Sequence, residues 1–191
     1  MFDNIRADIA RKQRYYVRPE RRNWFRIYIK IPLQLGSIAV VVYRFGRWAY
    51  RLKIPVLREL LLTIAGVLRL LVMATAGISI QVRADIGPGF VIHNFSGIFI
   101  PETKIGKNCT VNQGVTIGNI RGAAKRPVIG DNVYIGVGAV VVGDITIGDN
   151  VVIGSNSLVM ASVPDNCTVV GVPARVVSRQ PTSEYLEFVD Y

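Results

Sequence analysis

The chain has 191 residues, half of them hydrophobic, with 23 Lys/Arg against 13 Asp/Glu, two cysteines and one histidine. That length holds one folded unit plus a small accessory region. Cys109 and Cys167 are too few and too distant for a disulfide framework or a thiolate metal site, so a reducing compartment fits, and a lone histidine excludes a centre built from several imidazoles; no metal is expected.

The first region, residues 1–78, is basic and apolar. Residues 1–79 hold 15 Lys/Arg and 4 Asp/Glu, a balance of +11, so the net +10 of the chain belongs entirely to this part. Residues 1–23 are polar and basic with no apolar core of a secretory signal. Leu33 to Tyr43 is free of charge, and Leu60 to Ile78 is interrupted only by Arg69. Breaks at Pro32, Gly36, Gly46, Pro55 and Gly66 predict about three short helices. Trp24, Tyr28, Tyr43, Trp48 and Tyr50 lie among Arg26, Lys30, Arg44, Arg47, Arg51 and Lys53. Aromatics and cations beside apolar helix suit an anionic membrane surface, which predicts a cytoplasmic protein held peripherally on the inner face of the plasma membrane. The competing reading is a set of helices packed on each other or on the rest of the chain. A spanning helix is disfavoured because Arg69 breaks the one candidate, and nucleic acid because long aliphatic runs do not serve a phosphate-binding face.

From residue 79 to about 177 the pattern changes to a six-residue repeat. Aliphatic residues recur at Ile129, Ile135, Val141, Ile147, Ile153 and Val159, in the same phase at Ile105, Val111 and Ile117, and again at Ile80, Ile86, Ile92 and Ile98 with one extra residue before Ile105. Gly or Asp-Asn follows, as at Gly130-Asp131-Asn132 and Gly148-Asp149-Asn150. The period predicts a mainly β solenoid in which each hexad makes one short strand and one corner. A second inward position, four residues on, takes Cys109, Val115, Val133, Ala139, Ile145, Val151 and Ser157. Three hexads make an 18-residue coil, so about five coils are expected. By the same count Ser96 points inward beside Ile92. Residues 178–191 form a C-terminal tail.

His93 follows inward Ile92 and so occupies a corner. Imidazole is the side chain whose ordinary pKa suits a general base near neutrality, and the competing reading is an exposed surface histidine. Residues 119–127 (NIRGAAKRP) are polar, cationic and glycine-containing, yet Ile117 and Ile129 remain twelve apart, so spacing alone does not prove a loop.

The segments His93-x-x-x-Gly97-Ile98, Gln113-x-Val115-Thr116-Ile117-Gly118 and Gly171-Val172-Pro173-Ala174-Arg175 resemble those of the serine acetyltransferase family of left-handed β-helix acyltransferases, over about residues 78–177. The resemblance implies a left-handed parallel β-helix, a homotrimer or a dimer of trimers, and acetyl-CoA as co-substrate. It implies His93 as the base, pantetheine along Gly136, Gly138, Ala139 and Ser157, phosphates at Lys125, Arg126 or Arg175, and an oxyanion near Gly118 or Asn119. Asn94 and Gln113 are candidates to hold the acceptor. No acyl-enzyme is implied, so neither cysteine is a nucleophile. In this family residues 119–127 form a loop over the active site.

Departures from the family pattern are Ile78 and Ile92, where carboxylates are expected, and Lys125-Arg126-Pro127, where a second histidine is expected. Glu102 or Asn112 is then the candidate to orient His93. The short apolar N-terminus resembles the acetyltransferases of exopolysaccharide and capsule synthesis more closely. The leading expectation is therefore O-acetylation of a sugar hydroxyl on a polysaccharide or lipid-linked glycan. The alternatives are serine O-acetylation in cysteine synthesis and a non-catalytic assembly solenoid.

Overall fold

A computed structural model describes residues 1–16, 24–120, 122 and 124–180. Most of the expected tail, 181–191, and residues 121 and 123 of the expected loop lie outside the described residues. Helix α1 spans Phe2–Tyr16, a π-helical turn Arg26–Lys30, α2 Leu35–Tyr50 and α3 Pro55–Ala76. Proline at the first turn starts α3, and Gly77, at φ 62°, stops it in the left-handed conformation that a Cβ disfavours.

After Gly77 the chain winds into a three-sided parallel β-helix. Face A stacks β1 (Ile78–Ile80), β4 (Ile98–Ile100), β7 (Thr116–Gly118), β10 (Val140–Val142) and β13 (Leu158–Val159). Face B stacks β2 (Asp85–Ile86), β5 (Lys104–Ile105), β8 (Val128–Ile129) and β11 (Thr146–Ile147). Face C stacks β3 (Val91–Ile92), β6 (Thr110–Val111), β9 (Tyr134–Ile135), β12 (Val152–Ile153) and β14 (Thr168–Gly171), and β15 (Ala174–Ser178) folds back antiparallel on β14. In-register stacking puts Ile92, Val111, Ile135, Ile153 and Val169 in one buried column. All seven second inward positions, Cys109 to Ser157, are also buried. Ser96 is not: it is exposed at φ 95°, in a corner that turns out of the regular path.

The corner between faces B and C is held by two side-chain ladders. Asn108, Asn132, Asn150 and Asn166 all sit at φ 54–58°, and each amide donates to the next one at 3.0 Å. Beside them the carboxylates of Asp131, Asp149 and Asp165 accept backbone N–H groups from the coil below. Asparagine suits this column because it tolerates the left-handed region and bonds along the axis.

Register also uncovers what the period concealed. Ile129 pairs with Ile147, 18 residues on, but with Ile105, 24 residues back. One full hexad is therefore inserted between β7 and β8, at the corner between faces A and B. An insertion equal to the repeat leaves the phase intact.

The helices dock on the first coil. Asp8 and Arg44 form a buried ion pair at 2.9 Å; Asp8 also accepts the Phe90 N–H, and Arg44 donates to the carbonyls of Ile86 and Gly87. Breaking such a buried pair typically costs about 3–5 kcal/mol. Tyr43 Oη donates to Ala84 O and accepts the Ile86 N–H. At Gly36 a Cβ would lie 2.8 Å from Ile92 O, so glycine there admits α2 directly onto β3. The predicted helix breaks at Gly46 and Gly66 do not occur. Both lie inside helices; at Gly46 the missing side chain lets α2 approach Val82 and Ala65, and packing outweighs intrinsic propensity. Among the described residues no helix is long and apolar enough to cross a membrane.

Candidate active site

β3 delivers His93 to the corner between faces C and A, where its backbone N–H donates to Val111 O. The residues stacked on it coil by coil are Asn112, Gly136 and Gly154, each N–H donating to the carbonyl of the next coil. A second column at this corner is Gly77, Gly97, Gly114 and Gly138, all at positive φ. A Cβ on Gly97 or Gly114 would come within 3.4 Å of the glycine above. Beyond Asn112 the first column carries no side chain for two coils, and the second is bare at Gly138 and closes at Asn156, whose amide lies over Gly138. They leave bare backbone running up from the imidazole, a track for an extended chain with amide groups.

His93 is half-buried, and its pKa is pushed down to about 4 by burial first and then by the charges of Lys12 and Arg11. The imidazole is therefore neutral throughout the physiological range. Both cations come from α1. Arg11 donates to Gly89 O at 2.8 Å and to Cys109 O at 3.3 Å, which fixes it on the first coil. Lys12 is 3% exposed, its Nζ has no hydrogen-bond partner, and burial lowers its pKa to about 8. The sequence reading missed both residues. The adjacent cations at 11 and 12 were visible, but only the docking of α1 on β3 puts them beside position 93.

Other expected site residues divide by corner. Asn94 and Gln113 do come together next to His93, with Asn94 Nδ2 donating to Gln113 Oε1 at 3.0 Å. Asn112 stacks directly on His93, but its amide Nδ2 is bonded to Ile135 O at 3.0 Å. Glu102 is not placed to orient the His93 of its own chain. It lies between β4 and β5 at the A–B corner, where it faces Arg83, and the charges acting on His93 include no carboxylate. Gly118, Asn119, Lys125 and Arg126 stand at that same A–B corner: Lys125 pairs with Asp144 at 2.8 Å, and Arg126 donates to Glu102 O. One chain thus separates these residues from its own His93. Gly136 and Gly138 lie on the bare track. Ala139 and Ser157 are 0% and 1% exposed, so their side chains belong to the core; Ser157 Oγ accepts the Gly171 N–H. Arg175 is exposed on β15, and its guanidinium donates to the neighbouring Ala174 O. Among the described residues no group of three His, Cys, Asp or Glu could hold a metal.

Residues 126–161 match the family model for the bacterial transferase hexapeptide, six repeats. The serine acetyltransferase of Bacillus subtilis is 39% identical over 162 residues, covering 83% of this chain and 70% of that protein. That of Synechococcus elongatus is 37% identical over 164 residues, covering 84% of this chain. The chain spans only 63% of the length of the Synechococcus protein and 61% of the Synechocystis one. Among solved structures, serine acetyltransferase from Brucella abortus superposes with a TM-score of 0.77 at 27% identity, covering 93% of this chain and 68% of that one. A serine acetyltransferase in complex with CoA superposes at 0.74 with 28% identity, covering 92% and 68%. The left-handed β-helix with leading helices is thus the architecture of this chain. These relatives overturn the expected closer kinship with capsule and exopolysaccharide acetyltransferases, and with it the expected sugar acceptor. That expectation leaned on the apolar, basic helices, and a helix surface carries no information about which hydroxyl reaches His93. By the extent of identity along its repeats and most of its length, the chain belongs to the serine acetyltransferase family of hexapeptide-repeat transferases.

Proposed function

We propose that this chain is an acetyl-CoA-dependent O-acetyltransferase acting on the hydroxyl of serine, with His93 as general base. The observation that carries the reading is a neutral imidazole at the foot of a glycine-lined backbone track. Pantetheine amides bond the track near Gly136 and Gly138 and bring the thioester towards the imidazole. His93 takes the serine hydroxyl proton as the oxygen attacks the thioester carbonyl. The tetrahedral oxyanion collapses, the C–S bond breaks, and the imidazolium returns its proton to the departing thiolate. Arg11 and Lys12 favour that return, because they disfavour charge on the imidazole. They also favour an acceptor that brings a carboxylate. Ile78 and Ile92, both buried, offer no partner to the serine ammonium, so a high KM for serine is expected.

The separation of Lys125 and Arg126 from His93 within one chain supports a homotrimer. There the A–B corner of one protomer lies against the His93 corner of its neighbour, and phosphates of CoA meet those cations. Gly118 and Asn119 would then serve an oxyanion on the neighbouring His93.

The test is CoA thiol release from acetyl-CoA with and without L-serine. Serine-dependent release is expected, and His93→Ala is expected to lower it by about 10²–10⁴-fold with the folded state retained. Absence of serine-dependent release would remove serine as the acceptor, and near-normal turnover of His93→Ala would remove the base. Mixing His93→Ala with Lys125→Ala/Arg126→Ala subunits is expected to restore activity, because a trimer then contains intact boundaries.

A further inference from the structure

Helix α3 buries almost nothing that it carries. Of its 22 residues only Ala65 and Ala76 are buried, while Val56, Leu60, Val67, Leu70, Leu71 and Met73 are 43–81% exposed. An apolar face of this extent is not left to water without a counterpart. Its polar groups are arranged for an environment without hydrogen-bonding partners. Thr63 Oγ1 donates back to Glu59 O at 2.9 Å and Thr75 Oγ1 to Leu71 O at 2.8 Å. Arg69, the charge in the middle of the run, lies against the inner cleft with Leu62, Ala65 and Val72. From Leu60 to Ala76 the outer face therefore presents neither a charge nor an unpaired hydroxyl. A protein partner does not require that satisfaction, but hydrocarbon does.

Charge selects the same occupant. Lys53 is exposed just before the helix, with Trp48 and Ile54 exposed alongside, while Arg51 pairs with Asp85 and Tyr50 lies under Arg83 in the inner cleft. Residues 1–79 carry +11, which opposes a second copy of the same face and attracts an anionic surface. We infer that the outer face of α3 lies in the plane of an anionic bilayer, its apolar side chains at the acyl boundary and Lys53 and Trp48 at headgroup level. At about 1.5 Å per residue the stretch from Leu60 to Ala76 contributes a contact roughly 26 Å long. The β-helix then stands off the membrane, joined to α3 directly at Gly77 and braced by α2. This surface is separate from the His93 site and does not depend on the acetyl-transfer reading.

The experiment is flotation of the intact chain with phosphatidylglycerol-containing vesicles and with pure phosphatidylcholine vesicles, in low and high salt. It compares wild type with Leu60→Glu/Leu71→Glu, and light scattering gives the mass of each. Wild type is expected to float with the anionic vesicles and to be only partly released by salt. The double variant is expected to partition at least about tenfold less, with unchanged mass and thermal transition, because both positions are more than half exposed. Failure of wild type to float with anionic vesicles overturns the inference. Equal flotation of the two proteins overturns it as well, since cations alone would then carry binding. A variant that loses mass while still floating would show a second copy on the face instead.

Discussion

Lys12→Met probes the electrostatics of the base most directly. Wild-type His93 titrates at about 4 against an ordinary 6.5, so the folded state resists protonation by about 3 kcal/mol. The folded pKa lies below the unfolded one. The corresponding stability is full above pH 6.5 and is lost as pH falls from 6.5 towards 4. Burial, the larger cause, survives the substitution, whereas the Lys12 charge does not. An upward movement of about one unit is expected for loss of one nearby cation, and the acid limb of kcat/KM should move with it. Since His93 is the only histidine in the chain, its imidazole Cε1 resonance reports the titration without assignment. Methionine also removes an unpartnered ammonium whose pKa is held at about 8 against 10.5, a burden of about 3 kcal/mol near neutrality that fades as pH rises from 8 towards 10.5. The variant should therefore resist denaturant at pH 7 better than wild type. Identical His93 midpoints in the two proteins, or a wild-type midpoint at 6.5 or above, would refute the reasoning.

Two further outcomes concern the solenoid. Asn132→Ala removes the amide bonds to Asn108 and Asn150 and places a Cβ without compensation at φ 55°; a loss of about 2–4 kcal/mol in equilibrium unfolding is expected, with Asn132→Gly recovering the backbone part alone. Cys109 and Cys167 are 0% and 2% exposed, and burial pushes the Cys109 thiol up to about 12, so neither should react with a colorimetric disulfide reagent until denaturant is added. Rapid labelling of the native protein would contradict the inward placement of both cysteines.

The hexad phase carried much of this architecture because a β-helix is a local code. Strand, corner and inward position all repeat within six residues, and Ile, Gly and Asn serve each for a nearby physical reason. The column of Ile92, Val111, Ile135 and Ile153 and the corner asparagines were legible for that reason, as was the corner placement of His93. Where the code is interrupted, reading by phase fails. Ser96 was assigned inward because counting from Ile92 assumes a regular corner, and the turn there is not regular. The inserted hexad between β7 and β8 is one full period long, so strand pairing, as of Ile105 with Ile129, exposes it where phase does not.

The amino-acid sequence by itself determined the coil, its inward residues apart from Ser96, and the corner position of His93, since each depends on neighbours within one or two hexads. Tertiary structure decided what depends on distant segments. Gly46 stays helical because α2 packs there on Val82 and Ala65. Glu102 falls at the A–B corner, away from the His93 of its own chain. Arg11 and Lys12, some eighty residues away, become the charges felt by His93, because the Asp8–Arg44 pair and the glycine contact at Ile92 seat the helices against β3. A six-residue period specifies stacking along one axis. What lies across that axis is set by docking energies that no local pattern contains.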